Sequence, residues 1–181
     1  KEQQDSLKTR EEQIQVAASV FEGTSEAILI SSSENRIVSV NRAFCKMTGY
    51  TEEELVGKNP RLLQSGRHGL AYYKEMWASL QNSGQWHGEI WNRRKNGEIF
   101  AQILSISKVA NNDGVVQHYI GMFSDISQIK AHEEELDRVA HYDPLTGAPN
   151  RRLLADRLTQ AIARADRSRL SLAVCYLDLD G

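Results

Sequence analysis

The chain has 181 residues, 40% of them hydrophobic and 25% charged, the balance of an ordinary water-soluble globular protein. A formal net charge of −2 argues against nucleic acid or an anionic membrane as the main partner, and no apolar run approaches the length of a membrane span. The two cysteines, Cys45 and Cys175, fall in segments that read as different domains, so a disulfide is not expected and a reducing cytoplasm is.

Lys1 lies inside a helical pattern with no initiator Met, so the chain reads as a piece of something longer. Residues 1–22 are polar except for Leu7, Ile14 and Phe21, spaced by seven, with Val16, Ala17 and Val20 widening the stripe. That is an amphipathic helix, suited equally to a short coiled coil or to lying along its own domain. Ala27-Ile28-Leu29-Ile30 and Arg36-Ile37-Val38-Ser39-Val40 read as two strands joined by a polar turn. Asn41 is placed to cap a helix over 42–48 that Gly49 stops, and Thr51 with Glu54 forms a capping box for a helix closing at Gly57. Over 70–80, Tyr73, Met76, Trp77 and Leu80 share one side of a longer helix.

Three strands are predicted next, over 86–93, 99–107 and 115–123, separated by the turn signals Lys95-Asn96-Gly97 and Asn111-Asn112-Asp113-Gly114. Two strands, several short helices and three antiparallel strands are most economically met by a five-stranded antiparallel sheet with helices on one face. This mixed α/β arrangement is of the α+β kind. A helix over 126–140 follows, carrying Ile126, Ile129, Leu136 and Val139 on one stripe, until Asp143-Pro144 interrupts it. A second amphipathic helix over 150–167 turns Leu153, Leu154, Leu158 and Ile162 inward, and 170–179 reads as an apolar strand.

Trp86-His87-Gly88-Glu89-Ile90-Trp91-Asn92-Arg93-Arg94-Lys95-Asn96-Gly97 and His118-Tyr119-Ile120-Gly121-Met122-Phe123-Ser124-Asp125-Ile126-Ser127 resemble the last three strands of a PAS domain. Asn41-Arg42-Ala43-Phe44 and Thr48-Gly49-Tyr50 extend the resemblance toward the N-terminus. Asp143-Pro144-Leu145-Thr146-Gly147-Ala148-Pro149-Asn150-Arg151-Arg152 and 173–181 resemble the opening of a GGDEF, or diguanylate cyclase, domain. Ala148 stands where Leu is usual, and the signature Gly-Gly-Asp/Glu-Glu-Phe segment is absent. The implied organisation is an N-terminal helix over 1–22, a PAS sensor over 23–127, a signalling linker helix over 128–142 and the start of a GGDEF domain over 143–181.

Each resemblance implies a chemistry. In the intact cyclase, Asp178 and the Leu179 carbonyl would hold Mg2+, because short carboxylates at a strand end suit a hard cation. The bland reading is an acidic strand end entering a turn, and the fragment itself is expected to be catalytically inactive. Gly57-Lys58-Asn59-Pro60-Arg61-Leu62-Leu63-Gln64 resembles the flavin-contacting helix of light-sensing LOV domains, a PAS subgroup. Pro60 occupies the position of their adduct-forming cysteine and Cys45 lies on another helix, so LOV photochemistry is not expected.

Asn59, Arg61, Gln64, Trp86, Asn92 and Gln102 are the candidate contacts for FAD or FMN, since 86–88 and 92–95 also look like FAD-binding PAS redox sensors. The alternative is that Trp86 and Trp91 pack on the sheet while Asn59, Arg61 and Gln64 cap a turn. His68 as a haem ligand is set against a loop histidine.

The family link implies two functions of different kinds. One is a homodimeric sensor that pairs through Ile126, Ile129 and Leu136, with Asp143, Leu145 and Thr146 passing the signal. It would control GTP conversion to cyclic di-GMP. The other is a ligand-free dimerisation module governing a degenerate GGDEF domain linked to a phosphodiesterase.

Overall fold

The computed structural model describes residues Glu2–Cys175. Its elements run α1 (Glu2–Gly23), β1 (Ala27–Ser32), β2 (Ile37–Val40), α2 (Arg42–Thr48), α3 (Glu52–Leu55) and a 3-10 turn (Pro60–Leu63). They continue with α4 (Leu70–Ser83), β3 (Gln85–Arg93), β4 (Ile99–Ala110), β5 (Val116–Asp125), α5 (Ser127–His141) and α6 (Arg151–Ser168). Among the described residues no helix is long and apolar enough to cross a membrane. Residues Lys1–Gln128 make one compact unit and Ile129–Gly181 another.

The first unit holds a five-stranded antiparallel sheet in the order β2-β1-β5-β4-β3. β2 and β3 are opposite edges, so the chain between them must cross a face of the sheet. α2, α3, the 3-10 turn and α4 make that crossing. The core forms where they meet the sheet: Leu29, Ile37, Val40, Phe44, Leu55, Leu63, Ile90, Leu104 and Phe123 are all buried in one cluster. Phe44 meets Phe123 edge to face at 5.1 Å, the geometry that ring quadrupoles favour.

The local signals act as their chemistry dictates. Asn41 Oδ1 accepts the Phe44 N–H and Gly49 ends α2 at φ 78°, a conformation only glycine enters freely. Thr51 and Glu54 form their reciprocal capping box, although α3 ends at Leu55, two residues before the expected Gly57. Asn41 does more than cap. Its Oδ1 also accepts the Ile28 N–H, and its Nδ2 donates to the carbonyls of Phe21 and Glu26. A fully buried carboxamide thereby ties the end of α1 to β1 and α2. Along the rest of α1, Leu7, Ile14, Val16 and Val20 are exposed, so the stripe does not lie on this domain.

In the second unit, Asp143 Oδ1 accepts from the Leu145 and Thr146 N–H groups and the Thr146 hydroxyl. Asn150 then caps α6 through Leu153 N–H while its Nδ2 donates to Ala140 O, fixing the turn between α5 and α6. Two expectations change here. Leu154 and Ile162 are exposed rather than inward. The expected strand over 170–179 is absent in its described part: residues 170–175 pair with no strand, and Leu170 and Val174 stand in solvent. A strand exists only through its ladder, and none of the described residues supplies one. Asp178 and Leu179 lie outside the described residues.

Candidate ligand-binding cavity

Between the inner face of the sheet, the 3-10 turn and α4 lies a cavity of about 300 Å³. β1, β3, β4 and β5 contribute Leu29, Ile90, Leu104, Ile106 and Phe123 as apolar walls, while α4 adds Tyr73, Met76 and Trp77. Gly121 forms part of the floor: a Cβ there would approach the Phe123 ring to 3.0 Å, so glycine keeps the strand compatible with that ring. Trp77 closes edge to face on Tyr119 at 5.3 Å, and both rings line the space.

The polar groups give this apolar space a chemical direction. Of the candidate contacts, Asn59, Arg61, Gln64 and Asn92 line it. Asn59 also performs the turn-capping role set against ligand binding, since its Oδ1 accepts the Arg61 N–H at 2.9 Å. A bridge between Gln64 and Asn92 holds the 3-10 segment against β3. Gln102 is not in the lining: it sits opposite Ile90 in the ladder, on the same strand face as Leu104, and is 1% exposed. Neither its Oε1 nor its Nε2 has a partner, and the buried Tyr73 hydroxyl is also unpartnered. Burial pushes the Tyr73 phenol above its usual pKa, so it stays a neutral donor. Buried amides without partners are rare in native folds, because each costs the full desolvation of its dipoles.

Trp86 is not part of the lining. Its indole packs edge to face on Tyr72 at 6.0 Å, over Gly88, where a Cβ would strike the ring at 2.6 Å. Trp91 faces away, with the Arg67 guanidinium 3.9 Å from its ring centroid. His68 is a structural residue: its Nε2 accepts the Trp91 N–H at 2.9 Å and the ring stacks on Tyr72 at 4.2 Å. Its lone pair is thus engaged, and burial holds its pKa below the ordinary value. Tyr73, Met76 and Trp77 are expected from their spacing to share an apolar helix face, and that spacing does not show that they border a void. A mid-strand glycine such as Gly121 was the available signal.

Comparison with known proteins settles the kind of domain. Residues 25–128 match the PAS domain family. The chain belongs to that family. Residues 140–181 match the diguanylate cyclase, GGDEF domain. This PAS chain is 35% identical over 117 residues to a nitrogen fixation regulatory protein of Klebsiella oxytoca, covering 65% of this chain and 24% of that protein. It is 32% identical over 117 residues to phototropin-1B of Oryza sativa subsp. japonica, covering 65% of this chain and 13% of the relative. The PAS chain therefore spans about a quarter or less of these curated relatives.

Among solved structures it resembles an RNA-binding light-oxygen-voltage receptor at 26% identity and a TM-score of 0.62, over 69% of this chain and 36% of that one. It also resembles the LOV domain of the Erythrobacter litoralis EL346 blue-light activated histidine kinase. There the identity is 26% and the TM-score 0.52, over 56% of this chain and 96% of that one.

Proposed function

We propose that this PAS domain is a flavin-binding redox sensor that controls cyclic di-GMP turnover through the GGDEF domain that follows it. The observation that carries the reading is the buried, unpartnered Gln102 carboxamide on the strand that walls an apolar cavity, which Asn92 lines and Gln102 itself does not. The pyrimidine edge of an isoalloxazine alternates hydrogen-bond donors and acceptors, and a carboxamide presents one of each. The residues fit such a ring: aliphatic and aromatic walls for its faces, Asn92 and Gln102 for its polar edge, and Tyr73 as a neutral donor. Light-sensing relatives and solved neighbours make the same kind of ligand reasonable. Pro60 offers no thiol for a photoadduct, so redox change is the proposed signal.

When bound, the flavin supplies reversible electron and proton uptake at its ring. The chain's own residues do the rest. Gln102 would hold the ring's polar edge, and its carboxamide, with one donor and one acceptor, would meet a change in that edge by rotating. Gln102 is paired in the ladder with Asp125. Asp125 Oδ1 accepts the Ser127 N–H at the start of α5, while its Oδ2 takes the Arg94 guanidinium at 2.6 Å. A rotation at Gln102 therefore acts beside the group that fixes the origin of α5.

The proposal continues through a homodimer formed by the exposed Ile129, Leu136 and Val139 stripe, which shifts between two pairings and alters the encounter of two GTP-loaded cyclase domains. Mg2+ at Asp178 and the Leu179 carbonyl belongs to that cytoplasmic, full-length enzyme, by resemblance alone. Reconstitution with FMN or FAD followed by absorbance and reductive titration tests the sensor reading. Bound, reversibly bleached flavin is expected. A protein that stays colourless under saturating flavin and still dimerises would establish the ligand-free module instead.

A further inference from the structure

β3 is an edge strand, so the backbone groups along its outer side have no strand to pair with. The loop over 65–69, which joins the 3-10 turn to α4, supplies the partners at Trp91 instead. Ser65 Oγ donates to the Trp91 carbonyl at 2.5 Å, and the Trp91 N–H donates to His68 Nε2 at 2.9 Å. Two contacts brace the same segment: the Arg93 guanidinium donates to Ser65 O at 2.8 Å, and the Tyr72 hydroxyl donates to Glu89 O. Asn92, the next residue after Trp91, bridges to Gln64, and both line the cavity. Tyr73, beyond the other end of the loop, lines it too. The loop thus fastens β3 to the two helical elements that border the same space.

Among these fasteners His68 alone changes its hydrogen-bonding character near neutral pH. Accepting the Trp91 N–H assigns the proton of the neutral ring to Nδ1. Protonation adds an N–H at Nε2, so two donors face each other and the bond is lost. We infer that His68 is a positioning residue for the cavity and an acid-released latch: neutral, it clamps Trp91 and with it Asn92 to the loop, and protonated, it lets them go. The surroundings act on its charge in both directions. Burial opposes the cation and Glu89 on β3 favours it. Arg67, with its guanidinium 3.9 Å from the Trp91 ring centroid, and Arg93 bring further positive charge to the loop. Tyr72, stacked on His68 at 4.2 Å, and Tyr73 stay neutral, because burial raises both phenols. Burial prevails and holds the imidazole below its ordinary value, so release belongs below about pH 6.5.

Amide hydrogen exchange on the whole ligand-free chain at about pH 7.5 and about pH 5 tests the latch, each rate being divided by its unfolded-chain value. Protection of the Trp91 amide is expected to fall about tenfold at the lower pH, while β1 and β5 in the middle of the sheet keep theirs. His68→Gln retains an acceptor of similar reach and does not titrate, so Trp91 should stay protected at both pH values. His68→Phe keeps a ring against Tyr72 without an acceptor, so the low protection should appear at both. Equal protection of Trp91 in the parent at the two pH values overturns the latch, and so does a fall that survives in His68→Gln. The parent and the glutamine variant decide this by themselves if the phenylalanine variant does not fold. The consequence for a ligand rests on the flavin reading: FMN is expected to leave the parent about tenfold faster at the lower pH and to leave His68→Gln at one rate. An FMN dissociation rate indifferent to pH, with the exchange response intact, overturns the positioning role. Failure of FMN to bind overturns the flavin reading and leaves the latch to the exchange result.

Discussion

Gln102→Leu has opposite expected effects on the free and ligand-bound protein, so it tests the cavity assignment sharply. Both polar atoms of Gln102 are buried without partners. Leucine removes that desolvation cost, about 1–3 kcal/mol, against a shape penalty for the swap of up to about 1.5 kcal/mol. The net expectation is a gain of about 1 kcal/mol in the free protein, or a rise of about 4 °C in the melting midpoint of a domain this size. With flavin, the sign reverses. Leucine leaves the ring edge facing a methyl group, and the loss of about 1–3 kcal/mol weakens binding by about 5- to 150-fold. Paired thermal and urea melts of the free protein, with flavin titration of both variants, read the two quantities separately. A free variant less stable than its parent by more than 1 kcal/mol would show that the amide is satisfied. Unchanged flavin affinity would show that it does not meet the ring.

Three further outcomes follow from the nodes around the sheet. Asn41→Leu removes four hydrogen bonds from a fully buried position, and a loss of about 3–5 kcal/mol is expected in urea unfolding. At Asp125, burial raises the pKa, but hydrogen bonds from Arg94 and Ser127 outweigh it and hold the carboxyl below its ordinary value. The folded pKa is thus below the unfolded one, so this contribution is present above about pH 4 and lost as pH falls through the folded value. Arg94→Ala should flatten the stability profile across that acidic window, and an unchanged profile would refute the assignment. Leu136→Asp places a charge on the 70% exposed centre of the α5 stripe, and sedimentation velocity should then report monomer where the parent pairs. An unchanged mass would sink the helix-pairing mechanism.

The sheet was legible because its signals are local and redundant. Asn-Gly and Asp-Gly turns, the alternation along β4 and the Asn41 and Thr51 caps each name a boundary without reference to tertiary structure. Of the six candidate contacts, Asn59, Arg61, Gln64 and Asn92 border the cavity and Trp86 and Gln102 do not. Trp86 shows the limit. A tryptophan serves packing and ligand stacking with the same surface, and only the position of Tyr72 above Gly88 decides between them. The exposed Leu154 and Ile162 show the converse, since periodicity identifies an apolar stripe but not what covers it. The cavity beside Tyr73 and Met76 had only the mid-strand Gly121 as a signal in the chain, because a void is a property of three elements at once.

The placement of the two polar nodes argues for how such a domain transmits a change. Asn41 binds the end of α1 to β1, and Asp125 with Arg94 binds the start of α5 to the end of β5. β1 and β5 are neighbours, so both helices are rooted in one ladder. Arg94 also donates to the Met47 carbonyl near the end of α2, which joins the helical face to the same point. Displacement of Asp125 therefore cannot be absorbed by α5 alone: it breaks an ion pair that α2 shares. If that node has two arrangements, paired and unpaired, the contact would convert a small rotation at Gln102 into a change of helix origin, as the proposed sensor requires. The Arg94→Ala variant separates the alternatives. If Arg94 is the switch, a flavin-reduced and a flavin-oxidised sample of that variant should show the same hydrogen-exchange rates across Ser127–His141. Rates that still depend on redox state would place the coupling elsewhere.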